Sequence, residues 1–191
     1  MTGYHDIIVG AKTKINEPHE QVHKGLSFTV QVADAIMNDE DTLIVAFRTG
    51  DKEVHLTYDL NVAWGGDVAV CEEPVWDEGS GTPTKIVNKN RKSTIESTIM
   101  SEEDGYVGYV TKNPTNYVCN DQKLGTVSLG LLWFFKPTDL SRSTHNREFV
   151  LKENTNYGIL YTAAVAADAW WATDAAQIIM DWYEINNKYD D

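Results

Sequence analysis

Alternation of apolar and polar residues predicts several β-strands near the start of the chain. Residues 26–32 (LSFTVQV) alternate without interruption, which places the apolar set on one face of a half-buried strand. Residues 53–62 (EVHLTYDLNV) alternate in the same way, whereas residues 42–48 (TLIVAFR) form a continuous β-branched and aromatic run. The residues between these two runs, 49–52, read TGDK and are a turn signal. The sequence therefore predicts a β-hairpin from strands 42–48 and 53–62.

The rest of the chain carries further strand patterns separated by turn signals. A turn at 65–67 (GGD) is predicted to lead into a strand at 68–72. Residues 73–83 contain two prolines and two glycines, too many for a strand or helix interior, and are predicted to be a loop. A polar connection is expected at 137–146, and further strands are predicted at 85–87, 97–100, 105–111, 126–135, 147–151, 157–162 and 177–185.

Residues 163–176 are the exception to the strand pattern. They are rich in alanine, and intrinsic propensity favours a helix there. The pair Trp170 and Trp171 can equally lie on a loop between the last two strands, and we favour the loop.

Short strands at roughly ten-residue spacing, with no alternating helices, are typical of an all-β fold. We predict an antiparallel β-sandwich, jelly-roll-like, with long loops. A chain of 191 residues is long enough to bury one core, so residues 17–191 are predicted to form a single domain. Residues 1–16 have too little apolar periodicity to fold alone and are predicted to be an N-terminal arm.

The charge balance disfavours two classes of partner. Sixteen basic and 29 acidic residues give a formal net charge of −13, which repels phosphate backbones and anionic lipid headgroups. We therefore expect neither nucleic acid nor membrane as a partner. The chain shows no signal-peptide pattern and no apolar stretch approaching eighteen residues, so we expect a soluble protein made in the cytoplasm.

The chain has two cysteines, and their spacing predicts no special chemistry. Cys71 and Cys119 form no C-x-x-C pair, so neither a disulfide nor a thiolate zinc site is expected. Both are predicted to be small buried or half-buried side chains.

Residues 19–23 read HEQVH and match the H-E-x-x-H pattern of zinc peptidases. That chemistry requires a helix, because only then do both imidazoles reach one ion while the glutamate activates water. Pro18 precedes the first histidine and Gly25 follows closely, so any helix is barely two turns long. No nearby motif supplies a third ligand, since His55 and His145 lie in a strand and a polar connection. We therefore expect no peptidase and no catalytic residues.

The histidine segment has other interpretations. If it is extended, His19, Gln21 and His23 share one face and could hold a metal between identical subunits or hydrogen-bond to a neighbouring chain. A polar lead-in with ordinary surface histidines is the interpretation we favour.

Other candidate residues point to binding rather than catalysis. There is no G-x-S-x-G elbow and no glycine-rich phosphate loop. Trp170 and Trp171 could stack on sugars, anchor a subunit contact or pack in the core. Residues 88–93 (NKNRKS), which include Asn90 and Arg91, are basic in an acidic chain and could pair with an acidic partner or form a solvated turn.

Three stretches together resemble a group of small tailed-bacteriophage virion proteins. They are HEQVHKGLSF at 19–28, NKNRKS at 88–93, and REFVLKENTNY at 147–157 followed by WYE at 182–184. That group has an H-x-x-V-H-x-G-x-x-F opening, an N-x-N-R-x-S centre and an L-K-x-N-T-x-Y strand pair ending in W-Y-E. The ordered set covers about residues 17–185.

The resemblance implies a head decoration, or cement, protein on the outer capsid surface of the virion. Such a β-sandwich assembles with copies of itself, often as a trimer, and bridges capsomers built from the major capsid protein. It implies no catalytic residue, metal or cofactor. The expected interface residues are His19, Gln21, His23, Asn90, Arg91, Trp170 and Trp171. The alternative is a receptor- or glycan-binding module of a phage fibre or spike, with Trp76, Trp170 and Trp171 as stacking surfaces.

Overall fold

The computed structural model describes residues 17–62, 65–103, 105–119, 123–129, 141–164 and 174–185. Within these ranges the chain forms one short helix and eleven strands. The helix is α1 (Glu17–Lys24), and the strands are β1 (Ser27–Met37), β2 (Thr42–Arg48), β3 (Glu53–Val62), β4 (Gly65–Glu72), β5 (Thr82–Lys85), β6 (Val87–Asn88), β7 (Tyr109–Lys112), β8 (Lys123–Leu129), β9 (Ser141–Leu151), β10 (Asn156–Ala164) and β11 (Asp174–Ile185). The predicted arm, residues 1–16, lies outside the described residues.

The strands form two antiparallel sheets, which confirms the predicted β-sandwich. One sheet has the order β6-β1-β11-β3-β9, and the other has the order β5-β7-β2-β10-β4-β8. With the short strands β5, β6 and β7 set aside, the first long strand pairs with the last, the second with the seventh, the third with the sixth and the fourth with the fifth. This nested pairing is the topology of a jelly roll.

The core lies between the two sheets and follows the predicted alternation. In β1 the side chains of Phe28, Val30 and Val32 are buried. In β3 every second residue from Val54 to Val62 is buried while its neighbours are half-exposed. Burying each such large apolar side chain contributes about 1.5–3 kcal/mol.

The continuous apolar run of β2 is explained by cover on both of its faces. Asn113 continues the pairing of β7 with β2 and exchanges hydrogen bonds with the backbone of Ile44. The residues that follow cross the outer face of the six-stranded sheet, where Cys119 is bonded to Cys71. Tyr117 lies over Gly158 of β10, and a Cβ at that glycine would stand 2.8 Å from the ring carbon Cζ. A strand with no solvent-facing side needs no polar alternation.

The expectation that the cysteines stay unbonded is wrong. Cys71 in β4 and Cys119 form a disulfide, with Cα atoms 5.6 Å apart. Their sequence separation of 48 residues hides this contact, because only the fold carries segment 113–119 across β4. Next to the disulfide, Val75 and Val118 form an antiparallel bridge.

The predicted hairpin of 42–48 and 53–62 is also wrong. β2 and β3 belong to different sheets, so residues 49–52 form an arch, meaning a connection that passes from one sheet to the other. Residues 152–155 form a second arch, between β9 and β10. The two arches hydrogen-bond to each other through Thr49 N to Thr155 O (3.0 Å) and Asn154 N to Gly50 O (2.8 Å). A four-residue turn signal does not reveal whether its backbone groups pair within a hairpin or with a distant loop.

Several element boundaries differ from the prediction. The turn at 65–67 is wrong, because β4 begins at Gly65, and Gly66 is needed there since a Cβ would lie 2.5 Å from the ring of Tyr161. Residues 97–100 form no strand, and only Met100 makes bridges, to Arg48 and Val107. The polar connection is wrong for residues 141–146, which belong to β9.

The remaining predictions hold in part. The loop at 73–83 is confirmed as far as residue 81, and β5 follows it. The strand expected at 105–111 is shorter and later, since β7 covers Tyr109–Lys112. β10 ends at Ala164 and β11 begins at Asp174, so both ends of the predicted loop 163–176 are strand. Its centre, with Trp170 and Trp171, lies outside the described residues, as do residues 130–135 of the strand predicted at 126–135.

Candidate functional site

Helix α1 and residues 88–98 form a single surface feature that we call the α1 shelf. The helix covers eight residues and ends in a Schellman motif, in which Gly25 N donates to Val22 O (3.0 Å) and Leu26 N donates to Gln21 O (2.9 Å). Gly25 has φ +75°, which favours glycine, and a Cβ there would also collide with the side chain of Ser93. The local sequence therefore fixes both the end of the helix and its close approach to residues 88–98.

Two asparagines hold the helix against the rest of the shelf. Asn88 Nδ2 donates to Gly25 O (2.8 Å) and to Ile95 O (2.9 Å), and Asn90 Nδ2 donates to His23 O (3.2 Å). Asn88 and Asn90 also accept backbone N–H groups two residues later through their Oδ1 atoms. The opening and central motifs, which are distant in sequence, thus make one structure.

The late motif holds the far end of the shelf through a buried carboxylate. Glu184 is fully buried, and its Oε1 accepts from Ser97 Oγ (2.5 Å), Thr98 N (3.0 Å) and Trp182 Nε1 (3.3 Å). Lys52 Nζ lies 3.7 Å from Oε2. These partners satisfy the charge, so Glu184 positions residues 97–98 and does not face solvent.

The structure separates the histidine pair from Gln21. The segment is helical, so the extended arrangement is wrong. His19 and His23 are exposed on one side of α1 and their Nε2 atoms lie 3.1 Å apart. Gln21 is only 7% exposed, and its Oε1 has no hydrogen-bond partner among the described residues. Gln21 therefore faces the protein's own sheet, whereas the histidines face outward.

The helix supplies the geometry that the H-E-x-x-H motif needs for two ligands. Across the described residues, however, no group of three or more His, Cys, Asp or Glu side chains is placed to hold a metal ion. Glu20, the motif's glutamate, pairs with Lys24 (2.8 Å), and the pKa of its carboxyl is lowered by the hydrogen bond and charge of that ammonium. Such a paired, acidic carboxyl is poorly suited to act as a general base.

A cleft of about 440 Å³ lies alongside the shelf. Phe28 and Ile86 are its buried apolar side chains, and it carries exposed apolar side chains at Val87 (37%), Ile95 (42%) and Val107 (52%). The charged residues that line it are Lys85, Arg91 and Glu96, so the local balance is basic although the chain is strongly acidic. The lining also includes Asn88, Asn90, Ser93, Thr94, Ser97, Gly108 and Tyr109. Apolar side chains with a basic rim suit a protein contact.

A second polar cluster, which the sequence reasoning missed, lies on the outer face of the five-stranded sheet. His55 Nε2 lies 2.7 Å from Glu53 Oε1, and His55 Nδ1 lies 2.9 Å from Glu148 Oε1. Tyr183 OH donates to Glu148 (2.6 Å), and its ring stacks on the imidazole at 4.7 Å. The alternation of apolar and polar residues in β3 predicts that His55 points outward. It does not predict that β3 pairs with β9 and β11, which carry Glu148 and Tyr183. The four side chains bind one another, which favours a structural role.

The remaining predicted residues fall in three places. Arg91 is exposed and Asn90 is half-buried on the shelf. Trp170 and Trp171 lie outside the described residues. Trp76 is only 8% exposed and stacks on Tyr117 with ring centroids 6.4 Å apart, so it offers no open surface for a sugar.

Comparison of the chain with protein-family models, curated proteins and solved structures gave no match. In the described part of the chain, no helix has the length and apolar character to cross a membrane. Function is therefore inferred from the geometry and from the motif resemblance.

Proposed function

We propose that this protein is a decoration protein of a tailed-bacteriophage virion, which binds the outer capsid surface and bridges neighbouring capsomers of the major capsid protein. The observation that carries the proposal is the role of the motif residues. The side chains of Asn88 and Asn90 hydrogen-bond to the end of α1, and that of Glu184 hydrogen-bonds to residues 97–98. Their polar atoms thus hold parts of the same chain in place. Residues used in this way favour a rigid structural block over a reaction centre.

The polar side chains of the motif at 147–157 are also bound within the protein. Lys152 Nζ lies 2.5 Å from Glu72 Oε1, and the hydroxyl of Tyr157 accepts from Lys152 N (2.9 Å). Thr155 N donates to Thr49 Oγ1 (3.0 Å), which joins the two arches. The jelly roll also supports the proposal, since viral capsid proteins use it, although lectins and cupins use it too.

The cleft beside the α1 shelf is the contact surface that we assign to the capsid. Its basic residues Lys85 and Arg91 would attract an acidic patch, and Val87, Ile95 and Val107 would lose water on contact. The rest of the chain is strongly acidic, with a formal net charge of −13, so this local basic rim favours docking on an acidic surface of the capsid protein in one orientation.

Such a protein would stabilise the capsid by bridging neighbouring capsomers. A protein that binds only the expanded form of the capsid shell stabilises that form by linkage. Several weak contacts made by one protein at the same time bind far more tightly than a single contact. A trimer, the assembly that the resemblance favours, would multiply these contacts.

The test adds the purified protein to particles that lack it and measures its copy number per particle and its location by cryo-electron microscopy. Arg91→Glu is expected to reduce occupancy at least about tenfold, because it reverses a charge at the contact. Lys92→Glu is the matched control, since it makes the same charge change in the same loop outside the cleft lining. Density on a tail fibre, or glycan binding by the purified protein, would overturn the proposal.

A further inference from the structure

The two exposed histidines of α1 are arranged as a pair of ligands. His19 and His23 lie four residues apart on one face of the helix, their ring centroids are 4.6 Å apart, and their Nε2 atoms are 3.1 Å apart. The Schellman motif at Gly25 and the hydrogen bond from Asn90 to His23 O fix the backbone that carries them.

This nitrogen spacing matches two neighbouring positions around a transition-metal ion. Metal–imidazole bonds are about 2.0–2.1 Å long, so two of them at about 90–110° place their nitrogens roughly 2.9–3.4 Å apart. The observed 3.1 Å falls within that interval. Two neutral imidazoles can also make this distance through an N–H···N hydrogen bond, so a metal titration must distinguish the two cases.

We propose that His19 and His23 form a two-imidazole site for a divalent late transition-metal ion, bound through both Nε2 atoms with water at the other positions. Imidazole nitrogen suits Cu²⁺, Ni²⁺ and Zn²⁺, and Cu²⁺ is expected to bind most tightly. The site is not the three-ligand centre of a peptidase, because the described residues supply no third protein ligand. It does not depend on the proposed virion role.

Metal binding at this site would act on folding as well. The chelate needs the helical spacing, so an ion bound by both histidines favours the folded helix over the unfolded chain. The shelf that α1 shares with residues 88–98 would gain the same stabilisation.

In the experiment, Cu²⁺ is titrated into the full chain without a histidine tag. Calorimetry measures the affinity and stoichiometry of binding, and electron paramagnetic resonance identifies the ligands of the bound ion. The expected result is one ion per chain with nitrogen coupling from two imidazoles. His19→Ala and His23→Ala should each weaken binding at least about tenfold, because the second ligand then no longer acts at high effective concentration.

A geometry control keeps two histidines in the helix while breaking the pair. The double variant His23→Ala/Lys24→His places them five residues apart, on diverging faces, and should bind as weakly as His19→Ala. Glu20→Gln keeps both imidazoles and should bind like the unchanged protein. Circular dichroism without metal checks that each variant folds. No binding by the unchanged protein, or equal binding by the double variant, would overturn the proposal.

Discussion

Oε2 of Glu184 accepts a hydrogen bond of 3.0 Å from Oγ1 of Thr98, a residue 86 positions earlier in the chain. The same carboxylate accepts from Thr98 N, Ser97 Oγ and Trp182 Nε1. One buried side chain of the last strand thus determines where residues 97–98 lie beside the cleft.

Glu184→Gln is expected to lower the free energy of unfolding by about 2–3 kcal/mol, because hydrogen bonds to a buried charge are lost and the amide NH₂ must face a donor. Thr98 N and Trp182 Nε1 can only donate, so rotation of the amide does not repair the loss. Urea denaturation measures the change. Glu103→Gln is the control, since Glu103 is 66% exposed and 3.7 Å from Arg48, and should change stability by less than about 0.5 kcal/mol. Equal effects of the two variants would contradict the prediction.

Thr49→Val tests the contact between the two arches. Thr49 is fully buried, its Oγ1 lies 2.6 Å from Lys152 O, and it accepts from Thr155 N at 3.0 Å. Valine keeps the shape and removes every hydrogen bond of the hydroxyl, including its 3.1 Å contact with Thr155 O, so a loss of about 1–3 kcal/mol is expected in denaturation. Thr155→Val removes an exposed hydroxyl that bonds only locally to Glu153 O, and it should be nearly neutral. A neutral Thr49→Val would show that the buried hydroxyl does not stabilise the contact between the arches.

The disulfide predicts a strong dependence on reducing agent. Closing a loop between Cys71 and Cys119, 48 residues apart, removes unfolded-state entropy worth about 4 kcal/mol. Reductant should therefore lower the denaturation midpoint of the unchanged protein and leave the double variant Cys71→Ser/Cys119→Ser unaffected. Alkylation followed by intact-mass measurement should find no free thiol before reduction. Two free thiols in the untreated, oxidised protein would contradict the assignment.

Two tyrosines of the same region should respond differently to loss of the hydroxyl. Tyr157 OH accepts from Lys152 N and donates to Glu72 Oε2, so Tyr157→Phe should cost about 1–2 kcal/mol. The buried hydroxyl of Tyr117 has no partner among the described residues, so Tyr117→Phe should be neutral or stabilising. The comparison is made by thermal and urea denaturation of the two variants side by side. A larger loss from Tyr117→Phe would reverse the assignment.

Stability should fall at alkaline pH. Burial raises the pKa of Tyr157 from 10.0 to about 12, and burial also raises the pKa of Tyr117. The unfolded chain therefore loses its phenolic protons first, so the stabilisation is complete below about pH 10 and is lost between about pH 10 and 12. Urea midpoints measured from pH 8 to 12 should show this decline, and it should be shallower in Tyr157→Phe. A flat profile for the unchanged protein across that window would contradict the prediction.

The sequence predicted the parts of the fold that depend on local pattern. Strands β1, β2, β3, β10 and β11 follow from alternation or from apolar runs, because each side chain's environment repeats every second residue. It did not predict that residues 49–52 cross between sheets, because the partners of Thr49 and Gly50 are in a loop a hundred residues later. The disulfide was missed for the same reason.

The candidate site shows the same division. The motifs at 19–28, 88–93 and 182–184 were found from sequence. The structure brings the first two together in the α1 shelf, and Glu184 of the third hydrogen-bonds to Ser97 and Thr98 at its far end. Their pattern could not show that Gln21 faces inward, because the helix, unlike a strand, puts residues 19 and 21 on different faces. The cluster of His55, Glu53, Glu148 and Tyr183 required the pairing of three strands, which alternation alone does not specify.

The pairing of β1 with β11 also determines how the protein responds to force. Ser27 pairs with Tyr183 in an antiparallel ladder, so the two strands meet where one begins and the other approaches its end. A pull that separates these two residues acts across the ladder and breaks its hydrogen bonds one after another. A tether through residues 27 and 183 would therefore yield at low tension, whereas a pressure spread over the face of a sheet acts on several strands at once.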